Sequence, residues 1–330
     1  MSKIRDRRLK FDLTQQEIAS LVGLSRQAYI AVESMASAPR VDVAIRIAEV
    51  LHSSVEDLFG SEKVTPELEA LELSRYMVAD FGGDRRLVRL PSDHQGTKMG
   101  ADVLGYESED GVKEVSLSGW ESTIYTGCDP ALAVLSQYVE MQGKKVHHRW
   151  LNKPNRDSIS DLRDRNTHFA VLHHSEESQA DTQGFESMSF SQWELVLAYR
   201  PGLSTSTTFV DMVGSEVVFA GRSEGSGVYD FMLSKLTPLG VDPYSAFERF
   251  LICKDHEQVA MQLAVGSADV GLTSLSAALA HGLHFETVDV QSSELLYDKE
   301  VVDERLVAKV GGEIVSQRFR LELQAITGYR

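Results

Sequence analysis

Residues 14–33 leave this chain little conformational freedom. Thr14-Gln15-Gln16-Glu17 has the form of a capping box, in which the Thr hydroxyl caps a helix and Glu17 reaches back to it. Ile18, Ala19, Leu21 and Val22 follow at helical spacing, and Gly23 ends that helix as a residue able to take positive φ. Ser25 caps a second helix, which runs through Tyr29, Ile30 and Val32 to about Glu33. A third helix carries Val43, Ile47, Val50 and Leu51, and a final turn at 55–59 closes a small core. Helix, short turn with Gly, helix is the helix-turn-helix spacing. Arg26 and Gln27, at the start of the second helix, are of the types that bond guanine and adenine edges, with Tyr29 just beyond them. Ser25, Gln15 and Gln16 are expected to contact phosphate.

Charge supports this reading. Residues 1–60 hold eight Lys/Arg and eight Asp/Glu, so the net charge of −16 falls on the rest of the chain. Within the first 40 residues seven basic groups face four acidic ones. One small end can approach a polyanion, and the large remainder is repelled by it. Lys3, Arg5, Arg7, Arg8 and Lys10 are further candidates for phosphate contact. The run LTQQEIASLVGLSRQAYIAVES, followed by PRVDVAIRIAEVLHSSVEDLF, resembles the lambda-repressor-like, xenobiotic-response-element (XRE) class of bacterial regulators over about residues 3–60. Met35 departs from the class, which often has glycine after the recognition helix. The resemblance implies a transcription regulator that binds a double-stranded DNA operator. One such domain makes few contacts, so a homodimer on a palindromic site is expected, with half-sites about one helical turn apart.

The 330 residues predict two or three domains at roughly 100–200 residues each. The expected division is 1–61 as the all-α helix-turn-helix domain, 62–81 as a linker helix, 82–118 as a small β-rich insert, and 119–330 as an α/β domain. From residue 121 onwards strands alternate with helices. Strands are expected at 122–126, 145–150, 168–172, 195–198, 217–220, 270–272 and 285–290, and helices at 130–141, 158–163, 229–236, 258–265 and 275–280. That alternation predicts open parallel sheets, and about 210 residues of it predict two lobes. The composition, 42% hydrophobic and 25% charged, is that of a globular chain, and no apolar run is long enough for a membrane span. The charged MSKIRDRRLKF start does not read as a secretory signal, and two cysteines make no disulfide framework, so a cytoplasmic location is expected.

In such sheets ligands bind beyond the carboxyl ends of strands, against helix N-termini. Two loops fit that position. In Thr126-Gly127-Cys128-Asp129-Pro130, Asp129 is a natural N-cap. In Gly221-Arg222-Ser223-Glu224-Gly225-Ser226-Gly227, glycines expose N–H groups, Ser226 adds a hydroxyl and Arg222 a fixed charge, which suits an oxyanion. The blocks TGCDPALAVLSQY, AGRSEGSGVYDFML, DHEQVAMQLAVGSADVGL, LLYDKE and FRLELQAITGY resemble a periplasmic-binding-protein-like domain, of the molybdate-binding-like type found behind bacterial helix-turn-helix domains, over about residues 121–330. The resemblance implies a type II two-lobed fold and a small ligand between the lobes, with molybdate or tungstate first to test. Carried over by position, the ligand residues are Cys128, Asp129, Arg222, Gly225, Ser226, Gly227, His256 and Tyr297. His173 joins them because it closes a strand whose end faces the cleft. The family's glycine loop continues with Thr and Arg where this chain has Val228 and Tyr229, which leaves room for a larger or neutral organic ligand.

Two other readings compete. Gly221-x-Ser223-x-Gly225 matches the nucleophile-elbow pattern of serine hydrolases, with Asp255, His256 and Asp269 downstream. No oxyanion-hole motif precedes it, so no catalytic residue is assigned. A repressor whose second domain only dimerises would need no glycine loop. His147-His148 and His173-His174 do not chelate as pairs, because neighbours on a strand point to opposite faces. No metal site and no cofactor are expected. Trp120, Trp150 and Trp193 are assigned to core or hinge packing.

Overall fold

The computed structural model describes residues 3–11, 13–59, 72–117, 119–143, 146–174, 182–203 and 208–330. The chain forms two compact units, Met1–Leu71 and Glu72–Arg330.

Among its described residues the first unit is all α: α1 (Lys3–Lys10), α2 (Gln15–Val22), α3 (Arg26–Glu33), α4 (Val41–Val50) and α5 (Val55–Phe59). Thr14 Oγ1 accepts from the Glu17 N–H at 3.2 Å, while the Thr14 N–H donates to Glu17 Oε2 at 2.7 Å, so both halves of the capping box are made. Gly23 takes φ 72° and Ser25 Oγ accepts from the Ala28 N–H, which together set the turn between α2 and α3. Ile4, Ile18, Val22, Tyr29, Ile47 and Leu51 fill the core. Arg8 and Glu33 form a buried ion pair at 2.6 Å beneath these helices, with Gln15 Nε2 and the Tyr29 hydroxyl also donating to Glu33.

The second unit opens with a four-stranded antiparallel sheet made of β1 (Ser74–Asp80), β2 (Arg85–Arg89), β3 (Val103–Ser108) and β4 (Gly111–Leu117), in the order β2-β1-β3-β4, with the short α6 (His94–Thr97) between β2 and β3. The linker helix expected over 62–81 is corrected at its end, since Ser74–Asp80 is a strand whose Tyr76, Met77, Val78 and Ala79 are all buried. Residues 62–71 lie outside the described residues. Asp102 ties this sheet to the rest of the unit: its buried carboxylate accepts from Arg149 Nη2 at 2.8 Å, from the Ser122 hydroxyl and from the Val78 N–H.

The remainder is the two-lobed α/β domain. Its elements are β5 (Glu121–Thr126), α7 (Ala131–Glu140), β6 (Val146–Leu151), α8 (Asn155–Arg163), β7 (Phe169–His174), β8 (Glu186–Tyr199), β9 (Val218–Arg222), α9 (Gly227–Leu236), β10 (Arg249–Cys253), α10 (His256–Ala264), β11 (Val270–Ser274), α11 (Leu275–Ala280), β12 (His284–Tyr297), α12 (Glu304–Ile314) and α13 (Gln317–Ala325). The strands run in the order β10-β9-β11-β8-β12-β7-β5-β6. β5 pairs in parallel with β6 and β7, and β9 with β10 and β11. β8 and β12, each 14 residues long, pair with each other along their whole length. The end of β12 pairs with β7 and the end of β8 with β11, so these two strands run through both lobes. One lobe packs Ile124, Leu132, Phe169 and Leu295 together; the other packs Leu197, Phe219, Phe231 and Val270. Among the described residues no helix is long and apolar enough to cross a membrane.

Candidate functional site

Four strand-end segments converge where the lobes meet. Cys128 follows β5, His173 lies near the end of β7, Arg222 ends β9, and His256 opens α10 after β10. The first two belong to one lobe and the last two to the other. All four are buried, with no more than 4% of any of them exposed. The Cys128 sulfur and one nitrogen from each of His173 and His256 lie within 4.8 Å of one another. Trp193, in the middle of β8, packs edge-on against both imidazoles, at 5.0 and 5.1 Å between ring centroids.

The polar atoms here are unusual for an interior. Arg222 Nε and Nη1, His173 Nε2 and both nitrogens of His256 have no hydrogen-bond partner among the described residues. Leaving such groups buried and unpaired costs about 1–3 kcal/mol each, more for a charged one. The His173 tautomer follows from its other side. Gln291 Nε2 donates to Asp289, which turns Gln291 Oε1 towards His173 Nδ1 at 2.8 Å. In the neutral ring Nδ1 therefore carries the proton, and Nε2 faces the cluster. Burial pushes the Cys128 thiol up, but His173 and Arg222 outweigh it and hold it below the ordinary thiol range. Burial likewise lowers His173, but the Cys128 sulfur beside it wins and raises it. His256 is driven well below the ordinary imidazole value by burial, then by Arg222 and His173. A cavity of about 280 Å³ adjoins Cys128 and His256 and reaches Asn152, Ser274 and Tyr329.

The remaining residues expected at the cleft hold the site together. Asp129 accepts from the Ala131 N–H at 2.9 Å, Tyr329 Oη at 2.6 Å, Ser293 Oγ at 2.8 Å and Ser191 Oγ, which clamps the β5–α7 loop onto β8 and β12. Ser226 caps α9 through the Tyr229 N–H and donates to the Ser223 carbonyl. Gly227 lies against the facing lobe: a Cβ there would come 2.5 Å from His173 Cε1 and 2.7 Å from its carbonyl oxygen. Gly225, at φ 87°, accepts from the Arg156 N–H of the facing lobe at 2.9 Å. Tyr297 does not join the cluster; it packs against Phe169 in the first lobe's core. The hydrolase constellation does not assemble either. Asp255 caps α10, Asp269 pairs with Arg200, and neither nitrogen of His256 is hydrogen-bonded. Trp193 and Gln291 were not expected among the site residues. Their signal was the polar runs Ser191-Gln192 and Gln291-Ser292-Ser293, each beside an apolar stretch of its strand.

In the helical unit, Gln16, Ser25, Arg26 and Gln27 are exposed, and Gln16 and Arg26 line a groove with Arg5 and Ile30. Two expectations are corrected. Tyr29 is fully buried with its hydroxyl on Glu33, because its ring supplies the core between α2 and α3. Arg8 is spent on Glu33, and Arg7 donates to the carbonyls of Leu51 and His52 at the end of α4. Gln15 is half-buried, with its amide on Glu33.

Residues 4–58 match the helix-turn-helix family, and residues 136–312 match the PBP superfamily domain. An uncharacterised HTH-type transcriptional regulator of Archaeoglobus fulgidus is 34% identical over 58 residues, 18% of this chain and 82% of the relative. One from Methanothermobacter thermautotrophicus is 42% identical over 57 residues, 17% of this chain and 83% of the relative. A structure described as a phosphate ABC transporter substrate-binding protein with bound phosphate, from Clostridium perfringens, superposes with a TM-score of 0.53 at 10% identity, over 64% of this chain and 99% of that one. With a family match across more than half its length and the topology above, the chain belongs to the PBP superfamily, and its XRE-type helix-turn-helix domain makes it a transcriptional regulator with a PBP-like ligand-binding domain.

Proposed function

We propose that this regulator binds operator DNA as a homodimer and answers to a small anionic effector held between the two lobes. On the DNA side, α3 lies in the major groove with Arg26 and Gln27 on base edges, while Ser25 and Gln16 contact phosphate. On the effector side, one observation carries the reading: the Arg222 guanidinium is buried to 1% exposure with two nitrogens unpartnered. A buried cation without an acceptor is costly, and a bound anion supplies the acceptor. Burial at this depth needs both lobes closed, so binding and closure are linked. A domain used only for dimerisation gives no reason for such a group.

The test is a thermal-shift screen of metal-free protein against molybdate, tungstate, sulfate and phosphate, with organic acids after them. A hundredfold excess over Kd stabilises by about 2.7 kcal/mol, which such a screen detects. Arg222→Gln should remove the shift and the ligand's effect on operator affinity while sparing basal DNA binding. No stabilisation by any anion, or an unchanged shift in Arg222→Gln, would refute the anionic effector.

A further inference from the structure

We propose that Cys128, His173 and His256 form a binding site for a thiophilic d-block cation, with zinc(II) as the reference ion and a fourth coordination position open to the interlobe cavity. The donor set is one sulfur and two imidazole nitrogens, a type that borderline metals favour over oxygen-loving ones. Their ligating atoms lie within 4.8 Å of one another. Zinc bonds of about 2.3 Å to sulfur and 2.0–2.1 Å to nitrogen need ligand separations near 3.5 Å, so a contraction of about 1 Å closes the site.

Three further features point to a ligand at this place. His173 Nε2 and both His256 nitrogens are unpartnered although at least 96% of each residue is buried. His173 is held from behind as metal-binding histidines are: Nδ1–H donates to Gln291 Oε1, and the Gln291 amide is fixed in turn by Asp289. Charge also closes. A Cys128 thiolate and the Asp129 carboxylate offset Arg222 and leave one negative charge. A divalent cation and a singly charged anion at the fourth position then bring the site to neutrality. That anion faces Arg222 and is the small effector proposed above; the metal site rests on that reading only for the identity of its fourth ligand. Cys128 and His173 come from one lobe and His256 from the other, so the metal would bind the closed arrangement.

The experiment is titration of the metal-free full-length protein, kept reduced, with cobalt(II) and then zinc(II). Wild type and Cys253→Ser should show the thiolate-to-cobalt charge-transfer band and the strong d–d bands of a four-coordinate site at one equivalent, both bleached by zinc. Cys128→Ser should lose the charge-transfer band. His256→Gln, which breaks no side-chain hydrogen bond of the fold, should weaken cobalt binding at least tenfold, with tryptophan fluorescence and circular dichroism confirming that it is folded. Gln291→Leu should keep the spectrum and weaken affinity by about 10–100-fold. Absence of a thiolate–cobalt band in wild type, or its persistence in Cys128→Ser, overturns the proposal. The anionic-effector reading fails separately, by the absence of any anion-induced stabilisation in metal-free protein.

Discussion

His168 makes the second unit sensitive to acid, and the structure sets the size of the effect. The Ile124 N–H donates to His168 Nδ1 at 3.0 Å, and Nε2 lies 3.0 Å from the Asp80 carbonyl oxygen. The ring is therefore neutral with its proton on Nε2, stacked 4.5 Å from Phe81. A second proton would land on Nδ1 and break the bond to Ile124. Burial pulls the pKa down to about 4, against the Asp80 carbonyl, which works the other way. The unfolded chain takes up its proton near 6.5. A group depressed in this way contributes stability that is present above 6.5 and is lost as pH falls towards 4. The full shift corresponds to about 3.4 kcal/mol, of which about 2 kcal/mol is lost by pH 5. All three tryptophans, Trp120, Trp150 and Trp193, lie in the second unit, so urea unfolding followed by tryptophan fluorescence reports that unit alone. His168→Gln should cost about 1–3 kcal/mol at pH 7.5. Between pH 7.5 and 5 it should then lose about 2 kcal/mol less than wild type. His148, lowered to about 3 by burial and then by Lys309, His168 and His147, titrates in both proteins, so all but its coupling to His168 cancels in the difference. Parallel stability–pH curves for wild type and variant would refute the reasoning.

Three further outcomes concern the helical unit. Met35 sits at φ 60° and is 55% exposed, so Met35→Gly should remove left-handed strain and raise that unit's stability, read by calorimetry, by about 1 kcal/mol or more. Arg26→Ala and Gln27→Ala should each relax operator preference by about 1–3 kcal/mol in competition binding, whereas Tyr29→Phe should leave preference unchanged and cost about 1 kcal/mol of stability. Arg8→Ala strands the buried Glu33 carboxylate with only Gln15 and Tyr29 as donors, and should destabilise the unit by about 3 kcal/mol or more, read by the same calorimetry.

The helical unit was nearly readable from sequence because its stops and starts are local: Thr14, Gly23 and Ser25 act on backbone groups within a few residues. Arg8 and Tyr29 misled for the opposite reason. Both turn inwards to Glu33, and nothing in the spacing announces a buried ion pair between α1 and α3. In the second unit most of the short α/β elements are legible, but β10, α12 and α13 are not among the expected elements, and β8 and β12 show only as the apolar ends 195–198 and 285–290. Their polar middles, Ser189 to Gln192 and Gln291 to Ser293, break the hydrophobic pattern because there the strands pass from one lobe to the other. The same polar residues clamp Asp129 and orient His173. The resemblance assigns residues 128, 222 and 256 to one cleft, and 173 joins them as a strand end; what only the topology adds is that the Cys128, His173 and His256 donor atoms meet within 4.8 Å.

That topology also bears on how a switch would work. Arg156–Glu224, at 2.7 Å, bridges the two lobes, and Lys254–Asp93, at 2.7 Å, ties the second lobe to the segment before β3. Their side chains are 34–61% exposed, and such pairs are worth about 0–1 kcal/mol each, so they do not hold the cleft shut by themselves. Against closure stands Arg222, a buried cation with two nitrogens unpartnered, together with the unpaired histidine nitrogens. The closed arrangement without ligand is therefore disfavoured at its centre and only weakly held at its rim. The anion proposed above would remove that central penalty, whether or not a metal lies beneath it. Because Cys128 and His173 stand on one lobe and Arg222 and His256 on the other, the free energy of binding is the free energy available for closure. Replacing Arg222 by a neutral residue of similar length should consequently lower ligand affinity and make the empty domain easier to close, a pairing that a purely structural arginine would not produce.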